Sequence, residues 1–278
     1  MNTLINSAGN FDTFKYPKCV SRLICCDFDE TYMPHNEYDK KHSGIIELEQ
    51  FIDENNEKLS GIIGWISGSS IFSIIKKAKH NISRYPHFIA ASLGTELYWI
   101  VDNKLCISEE WCNKIVDSGF DKNNIAKITS ELTTKGIILH KQKNDFQGIF
   151  MESYYYYSNK DEDKHILEIE NISLKYNVKA EISYCNPAAG DPQECYDILF
   201  IPNCCGKKEV LMFVANNLNV PLRDTWAFGD SLNDYEMLIY AGNSFALANA
   251  DPALKSRMNN SVLKQKYCYG IMEALKKI

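Results

Sequence analysis

The sequence predicts an α/β fold, in which a doubly wound parallel-sheet core is interrupted by an inserted α+β domain. Short apolar runs alternate with helical patterns near both ends of the chain, an order typical of a parallel sheet. The middle of the chain is instead polar and rich in lysine. The chain has 278 residues, more than a typical single domain, so a core and an insertion account for all three observations.

The first strand is predicted at residues 23–26, an apolar run that ends abruptly at Asp27. Asp27 and Asp29 lie two residues apart, so their side chains can point to the same side of an extended backbone. Such a pair offers either oxygen ligands for a hard cation or a nucleophile and a proton donor. On its own, however, an acidic pair at a strand end is more often a turn former.

The second strand is predicted at residues 62–66, and isoleucines at helical spacing predict a helix from Ile71. Ser67 and Gly68 lie between the two. A hydroxyl next to a helix N-terminus can bind phosphate, because the free backbone N–H groups and the helix dipole both favour an anion. A simple N-cap is the commoner role of a serine at this position.

Two further segments lie in the C-terminal part of the chain. Either Lys207 or Lys208 begins a predicted helix, and a lysine there gains a role only where an anion lies nearby. After the apolar run 226–228, the motif Gly229-Asp230-Ser231-x-Asn233-Asp234 leads into another helix. A turn and an N-cap explain this motif alone. Together with the first acidic pair it completes a magnesium site, because Mg²⁺ binds a few carboxylate oxygens, water and phosphate.

The inserted domain is predicted at residues 98–200, which leaves 1–97 and 201–278 for the core. Within it, helical spacing of apolar residues predicts helices, and short apolar or alternating runs predict strands. The expected helices lie around 125–132 and 166–176, and the expected strands around 137–139, 149–157 and 178–182.

Composition limits the classes of partner and compartment. The formal net charge is -6 and the basic residues are scattered, which argues against nucleic acid as the main partner. No apolar run predicts a membrane span and the N-terminus lacks the apolar core of a signal peptide, so we expect a cytoplasmic protein. The ten cysteines show no Cys-x-x-Cys spacing and are expected to be reduced thiols.

Taken together, the four polar segments resemble the four motifs of the haloacid dehalogenase superfamily of phosphohydrolases, over nearly the whole chain. Longer segments resemble the kanosamine-6-phosphate phosphatases, close to the sucrose-phosphate phosphatases in the subclass with a large type IIB cap. The superfamily's usual glycine after the second aspartate is Glu30 here, as in the kanosamine-type enzymes. The matching motifs are Asp27-x-Asp29-x-Thr31, Ser67, Lys207 and Gly229-Asp230-Ser231-x-Asn233-Asp234, and the longer segments include Leu93-Gly94-Thr95-Glu96 and Cys185-Asn186-Pro187-x-Ala189-Gly190-Asp191.

This resemblance implies a Rossmann-like core that hydrolyses a phosphate ester. By the family's pattern, Asp27 attacks phosphorus and forms an aspartyl-phosphate, while Asp29 protonates the leaving oxygen and then activates water. Ser67 and Lys207 are expected to bind the phosphate and so to take part in catalysis. The expected magnesium ligands are Asp27, the backbone carbonyl of Asp29, Asp230 and Asp234. The expected substrate-binding residues are Thr31, Ser67, Gly68, Thr95, Glu96, Asn186, Asp191, Lys207 and Asn233.

The resemblance also suggests a substrate class, a small sugar phosphate. Kanosamine 6-phosphate is the expected substrate, and its ammonium group can pair with Glu96, Asp191 or Glu194. Sucrose 6-phosphate is an alternative from the same group of enzymes.

Two other functions stay open at this point. Phosphomutases occur in the same subclass, but a mutase must hold a second phosphate, typically with arginine, and none of the four arginines lies in 98–200. A catalytically silent phosphate-binding module is the non-enzymatic alternative, although nucleophile, acid, lysine and metal carboxylates are all present. Asp29 favours a hydrolase or a mutase over superfamily members that lack this carboxylate.

Overall fold

The computed structural model of the protein describes residues 11–143, 147–185 and 192–278. The chain forms two compact units. The first unit contains the N-terminal part up to Ser108 together with Gly206–Ile278, and the second is the intervening segment Glu109–Cys205. A discontinuous unit therefore surrounds an inserted unit in the sequence.

A seven-stranded sheet forms the centre of the discontinuous unit. Its strands are β1 (Arg22–Cys26), β2 (Gly61–Ile66), β3 (Phe88–Ala91), β4 (Glu96–Val101), β5 (Lys104–Ile107), β10 (Thr225–Gly229) and β11 (Asn243–Ala246). Their order in the sheet is β11-β10-β1-β2-β3-β4-β5. The first five strands of this order are parallel, and β4 and β5 add an antiparallel hairpin at one edge. This mainly parallel sheet confirms the predicted α/β class.

The strands that precede three of the polar motifs lie side by side. β1 lies between β2 and β10, and Cys26 at its end pairs with Trp65 on one side and Phe228 on the other. The carboxyl ends of the three strands therefore meet at one edge of the sheet, which is where open α/β sheets bind ligands. Every residue of β2 is buried, which explains its continuous apolar run.

Helices pack against this sheet and share a hydrophobic core with it. Helix α4 (Ile71–Ala78) shows how the sequence sets their position. Ile71 and Ile74 lie on its buried face, and the Ser70 side chain caps it by accepting a hydrogen bond from the Ser73 N–H. The capping role thus belongs to Ser70 and not to Ser67. The helices of this unit are α1 (Glu37–Lys41), α2 (Ile45–Glu54), α3 (Asn56–Leu59), α4 (Ile71–Ala78), α8 (Lys207–Asn217), α9 (Tyr235–Tyr240), α10 (Pro252–Met258) and α11 (Tyr267–Leu275).

The inserted unit combines helices with a four-stranded antiparallel sheet. Its elements are α5 (Glu109–Asp117), α6 (Asn123–Thr134), β6 (His140–Lys141), β7 (Glu152–Tyr157), α7 (Glu162–Lys175), β8 (Val178–Tyr184) and β9 (Cys195–Pro202). The strand order is β6-β7-β9-β8. Apolar residues of α6, α7 and the sheet, such as Ile128, Ile169 and Phe200, form a separate hydrophobic core. In the part of the chain that the structure describes, no helix is both long and apolar enough to cross a membrane.

Both predicted domain boundaries are displaced in the structure. The sequence predicts a core that ends at residue 97, but the core continues to Ser108 because β4 pairs with β3 in the central sheet. The sequence predicts that the core resumes at residue 201, but it resumes at Gly206 because β9 runs to Pro202 in the inserted sheet. The hairpin of β4 and β5 has mixed polarity, and its own sequence does not indicate which sheet it joins.

A strand is expected around 137–139, but these residues form no strand. They follow the C-terminal cap of helix α6. Gly136 has a left-handed φ of 80°, its N–H donates to the Thr133 carbonyl, and the Ile137 N–H donates to the Leu132 carbonyl. This is a Schellman motif, in which an apolar residue after the glycine packs back against the helix. Ile137 is accordingly part of the core of the inserted unit, so its apolar character reflects a helix cap and not a strand.

Candidate active site

Four polar segments meet at the carboxyl ends of β1, β2 and β10. Asp27 follows β1 directly, Ser67 follows β2, and Asp230 follows β10. Lys207 is the first residue of α8, and its side chain reaches Asp27. Segments that are far apart in the sequence are therefore neighbours at this edge of the sheet.

Lys207 is a buried cation between two buried carboxylates. Its Nζ lies 2.8 Å from Oδ1 of Asp27 and 2.6 Å from Oδ1 of Asp234, and it donates to the amide oxygen of Asn233 at 3.1 Å. Burial alone lowers the pKa of Lys207, but the charges of Asp234 and Asp27 raise it above its usual value, so the ammonium group stays charged. Lys208 forms its ion pairs with other carboxylates. Of the two adjacent lysines, Lys207 is the one in the cluster.

Asp234 accepts hydrogen bonds on both of its oxygens. Oδ2 accepts from the backbone N–H groups of Asp230 and Ser231 at 3.0 and 3.1 Å, and Oδ1 receives the ammonium group of Lys207. Gly229 permits this close packing, because a Cβ atom there would lie 2.5 Å from the Asp234 side chain. Asp234 therefore holds the loop after β10 in place and connects it to the lysine.

Three carboxylates at this edge form a cluster that suits a divalent cation. One ligand oxygen from each of Asp27, Asp230 and Asp234 lies within 4.8 Å of the others. Thr31 orients Asp230, because its hydroxyl donates to Oδ1 at 2.8 Å. Lys207 offsets one of the three negative charges, and the carboxylate oxygens are the kind of ligand that hard divalent cations prefer.

The pKa values of the cluster reflect the same excess of negative charge. Burial and the charge of Asp234 raise the pKa of Asp27 to about 7, although Lys207 acts in the opposite direction. Burial and the charges of Asp27 and Asp234 raise the pKa of Asp230 to about 9. A bound cation favours the ionised form of such groups. These residues therefore fit a metal site by their chemistry as well as by their position.

Asp29 has a separate set of partners, which sequence reasoning missed. Lys77 of α4 lies 2.5 Å from Oδ1, and His35 lies 3.3 Å from the same oxygen. Ser69 donates to Oδ2 at 2.6 Å, and Ser67 donates to it at 3.3 Å. Burial alone raises the pKa of Asp29, but the hydrogen bond from His35 and the charge and hydrogen bond of Lys77 lower it well below the usual value.

Comparisons with known proteins agree with this geometry. The family model described as sucrose-6F-phosphate phosphohydrolase matches residues 20–277. The chain belongs to this family. It is 35% identical over 279 residues to the kanosamine-6-phosphate phosphatase of Bacillus subtilis (strain 168), and the alignment covers 99% of each chain. It is 29% identical over 259 residues to an uncharacterized hydrolase of Staphylococcus aureus, which covers 90% of this chain and 94% of the relative.

Solved structures extend the assignment to the haloacid dehalogenase superfamily. A haloacid dehalogenase-like hydrolase from Bacillus subtilis matches with a TM-score of 0.79 and 33% identity, covering 100% of this chain and 99% of that one. The sucrose-phosphatase of Synechocystis sp. PCC6803 in complex with sucrose and phosphate matches with a TM-score of 0.68 over 93% of this chain and 98% of that one. Its identity of 15% shows a shared fold alone. As a sucrose-6F-phosphate phosphohydrolase family member, the chain is a phosphoric monoester hydrolase, which confirms the predicted enzyme class.

The loop after β1 of this phosphohydrolase has an uncommon backbone conformation. Glu30 has a left-handed φ of 57°, in a region that favours glycine. The Asn249 side chain donates to the Glu30 carbonyl at 2.6 Å. The His35 N–H donates to Oε1 at 2.6 Å, and the Tyr267 hydroxyl donates to Oε2 at 3.2 Å. These contacts hold a residue with a side chain at the position where the superfamily usually has glycine.

Three of the expected substrate-binding residues are buried and form hydrogen bonds with other residues of the protein. The hydroxyl of Thr31 is used by the carboxylate cluster. The hydroxyl of Thr95 donates to the Ser92 carbonyl in its own turn. Glu96 accepts from the Tyr98 hydroxyl at 2.7 Å, and burial raises the pKa of Glu96. These hydrogen bonds orient the loops in which the two threonines lie.

The other expected substrate-binding residues lie at the cluster or outside the described residues. Asn233 contacts the buried lysine of the cluster. Gly68 follows Ser67 directly in the loop after β2. Asn186 and Asp191 lie outside the described residues.

Proposed function

We propose that the protein is a Mg²⁺-dependent phosphatase that hydrolyses a hexose 6-phosphate, specifically kanosamine 6-phosphate, through an aspartyl-phosphate intermediate. One observation carries the proposal: Asp27 lies beside a buried ammonium group in a three-carboxylate cluster. A phosphate monoester repels nucleophiles because its oxygens are anionic. A site that hydrolyses it must therefore neutralise charge and position the reacting groups.

Asp27 is the proposed nucleophile. It follows a buried strand directly and is itself buried, so the backbone of the sheet fixes its position. Its carboxylate forms a bond to phosphorus in line with the departing sugar oxygen. Lys207 and the hydroxyl of Ser67 bind the non-bridging oxygens of the phosphate, the lysine as a compact point charge.

Asp29 is the proposed general acid and base. In the first step it gives a proton to the sugar oxygen, and in the second it takes a proton from the water that attacks the aspartyl-phosphate. The hydrogen bond from His35 and the charge of Lys77 favour the ionised form of Asp29. The arriving phosphate is a like charge that raises the pKa of Asp29 and so favours the protonated form that the first step requires.

Asp27, Asp230 and the backbone carbonyl of Asp29 would hold Mg²⁺. Asp234 would contact the ion through water, because both of its oxygens already accept hydrogen bonds from the protein. When bound, the ion offsets the repulsion between the nucleophile and the phosphate.

The choice of sugar rests on the full-length relative that is named kanosamine-6-phosphate phosphatase. An amino sugar carries an ammonium group that a carboxylate recognises by a charge-assisted hydrogen bond. Glu96, Asp191 and Glu194 are the candidate carboxylates. We expect a preference for kanosamine 6-phosphate over glucose 6-phosphate that weakens in Asp191→Asn. Equal turnover of the two sugar phosphates would show that the enzyme does not recognise the ammonium group.

A substrate panel tests the proposal. Hexose 6-phosphates, amino-sugar phosphates and sucrose 6-phosphate are assayed for phosphate release, each with Mg²⁺ and with EDTA. We expect release with Mg²⁺, loss with EDTA, and recovery when Mg²⁺ is restored in excess. Asp27→Asn should abolish release while its circular dichroism spectrum matches that of the wild type. A wild type that is inactive on the whole panel would overturn the proposal and favour a silent phosphate-binding module.

The same assay tests the phosphomutase alternative. Residues 109–205 contain no arginine, the side chain best suited to hold a second phosphate. A hexose bisphosphate is added as an activator, and sugar phosphate isomers are measured beside free phosphate. We expect free phosphate and no isomer, whereas isomer formation without phosphate release would identify a mutase.

A further inference from the structure

The two oxygens of the Asp29 carboxylate face different kinds of hydrogen-bond donor. Oδ1 lies 2.5 Å from the ammonium group of Lys77 and 3.3 Å from Nε2 of His35. Oδ2 accepts from the hydroxyl of Ser69 at 2.6 Å and from that of Ser67 at 3.3 Å. One oxygen therefore faces an ammonium group and an imidazole ring, and the other faces hydroxyl groups.

This division decides which oxygen can carry a proton. An ammonium group has donors only, so a proton on Oδ1 would point at the hydrogens of Lys77. A hydroxyl group can donate or accept, so Ser69 can form a hydrogen bond with Oδ2 in either protonation state. The contact with Lys77 therefore disfavours a proton on Oδ1, whereas the contact with Ser69 is compatible with a proton on Oδ2.

We propose that Lys77 is a positioning residue for proton transfer: it holds Oδ1 of Asp29 and so makes Oδ2 the reactive oxygen. The inference rests on the proposed phosphatase function. In the first step Oδ2 releases its proton to the ester oxygen, while the bond from that oxygen to phosphorus breaks and Asp27 bonds to phosphorus. In the second step Oδ2 takes a proton from water, the water oxygen bonds to phosphorus, and Asp27 and inorganic phosphate separate.

The location of Lys77 suits this role. It lies in the last turn of α4, and the loop before the same helix contains Ser67 and Ser69. One short element thus supplies donors to both oxygens of Asp29. The Lys77 side chain is 33% exposed, so its replacement leaves no cavity in the core. The adjacent Lys76 is exposed on the same helix and offers a matched control.

A comparison of leaving groups tests the role of Lys77. A sugar alkoxide needs a proton in order to leave, whereas nitrophenolate leaves as an anion. The measured quantity is kcat/KM, which reports the first step, on the preferred hexose 6-phosphate and on p-nitrophenyl phosphate. For Lys77→Met we expect a fall of about tenfold or more on the sugar phosphate and of less than about threefold on p-nitrophenyl phosphate. Lys77→Arg should recover part of the loss, and Lys76→Met should match the wild type on both substrates.

Equal losses on the two substrates, or no loss on either, would overturn the inference. Asp29→Asn is the reference variant, because it removes the proposed general acid itself. Its loss of kcat/KM should also be larger on the sugar phosphate than on p-nitrophenyl phosphate, and by a wider margin than in Lys77→Met. If Asp29→Asn shows it and Lys77→Met does not, only the role of Lys77 fails. If the wild type hydrolyses neither substrate, the proposed phosphatase function fails instead. Thermal unfolding checks that each variant is folded, and Lys77→Gln takes the place of Lys77→Met if that variant is not.

Discussion

Glu49 allows a direct test of the electrostatics of this fold outside the carboxylate cluster. It lies on the buried face of α2 and is only 3% exposed. Its Oε2 accepts from the Ser83 N–H at 2.8 Å, and its Oε1 accepts from the Tyr32 hydroxyl at 3.4 Å. Burial raises the pKa of Glu49 from 4.5 to about 7. Glu49→Gln keeps the shape, and its amide can accept from Ser83 and donate to Tyr32.

The size of the effect follows from the two pKa values. A carboxyl group with a raised folded-state pKa contributes its full stability below the unfolded-state pKa and loses it as pH rises through the folded-state value. Complete titration corresponds to about 3 kcal/mol, at about 1.4 kcal/mol per pH unit. Between about pH 5.5 and about pH 8.5 the wild type should lose about 2 kcal/mol that Glu49→Gln does not lose.

Urea unfolding of the two proteins at both pH values measures this difference in the free energy of unfolding. The other titrating groups are common to both proteins, so their contributions cancel in the comparison. Glu54→Gln is the control, because Glu54 is exposed on the same helix, and it should follow the wild type at both pH values. If the difference in the free energy of unfolding between Glu49→Gln and the wild type is the same at both pH values, burial does not raise the pKa of Glu49.

Three further predictions concern the carboxylate cluster and the inserted unit. Lys207→Met should abolish phosphate release and lower the free energy of unfolding, measured by urea titration, by about 3 kcal/mol or more. The reason is that two buried carboxylates lose their cation. Lys208→Met is the control and should change both quantities little. Similar losses in both variants would contradict this. In thermal unfolding, Mg²⁺ at about a hundred times its Kd should stabilise the wild type by about 2.7 kcal/mol and Asp230→Asn much less. An equal shift in both proteins would speak against the cluster as the metal site. Gly136→Ala should destabilise the protein by about 1 kcal/mol in urea, because a left-handed backbone disfavours a Cβ atom. An unchanged midpoint would show that the helix cap tolerates alanine.

The sequence predicted individual strands and helices well where the pattern of apolar residues is set by neighbours along the chain. The apolar runs 23–26 and 62–66 correspond to β1 and β2, and the isoleucines after Ser70 lie on the buried face of α4. The same reasoning assigned residues 137–139 to a strand, because an apolar residue in a Schellman motif resembles a strand residue when only composition is considered. The hairpin of β4 and β5 was likewise misassigned, because its pairing with β3 is a contact between segments.

The resemblance of the polar motifs to the haloacid dehalogenase superfamily implied a phosphohydrolase site built on Asp27 and three other segments. Residue types and their spacing sufficed to predict an α/β core and an insertion. These features depend on chemistry and local periodicity, which a linear chain displays directly. The choice between Lys207 and Lys208 required the tertiary structure, since adjacent residues on a helix point about 100° apart and only one of them can face the strand ends. Lys77 beside Asp29 was hidden for the same reason. Its neighbour Lys76 is equally basic in the sequence, and only the packing of α4 directs one of the two towards the carboxylate.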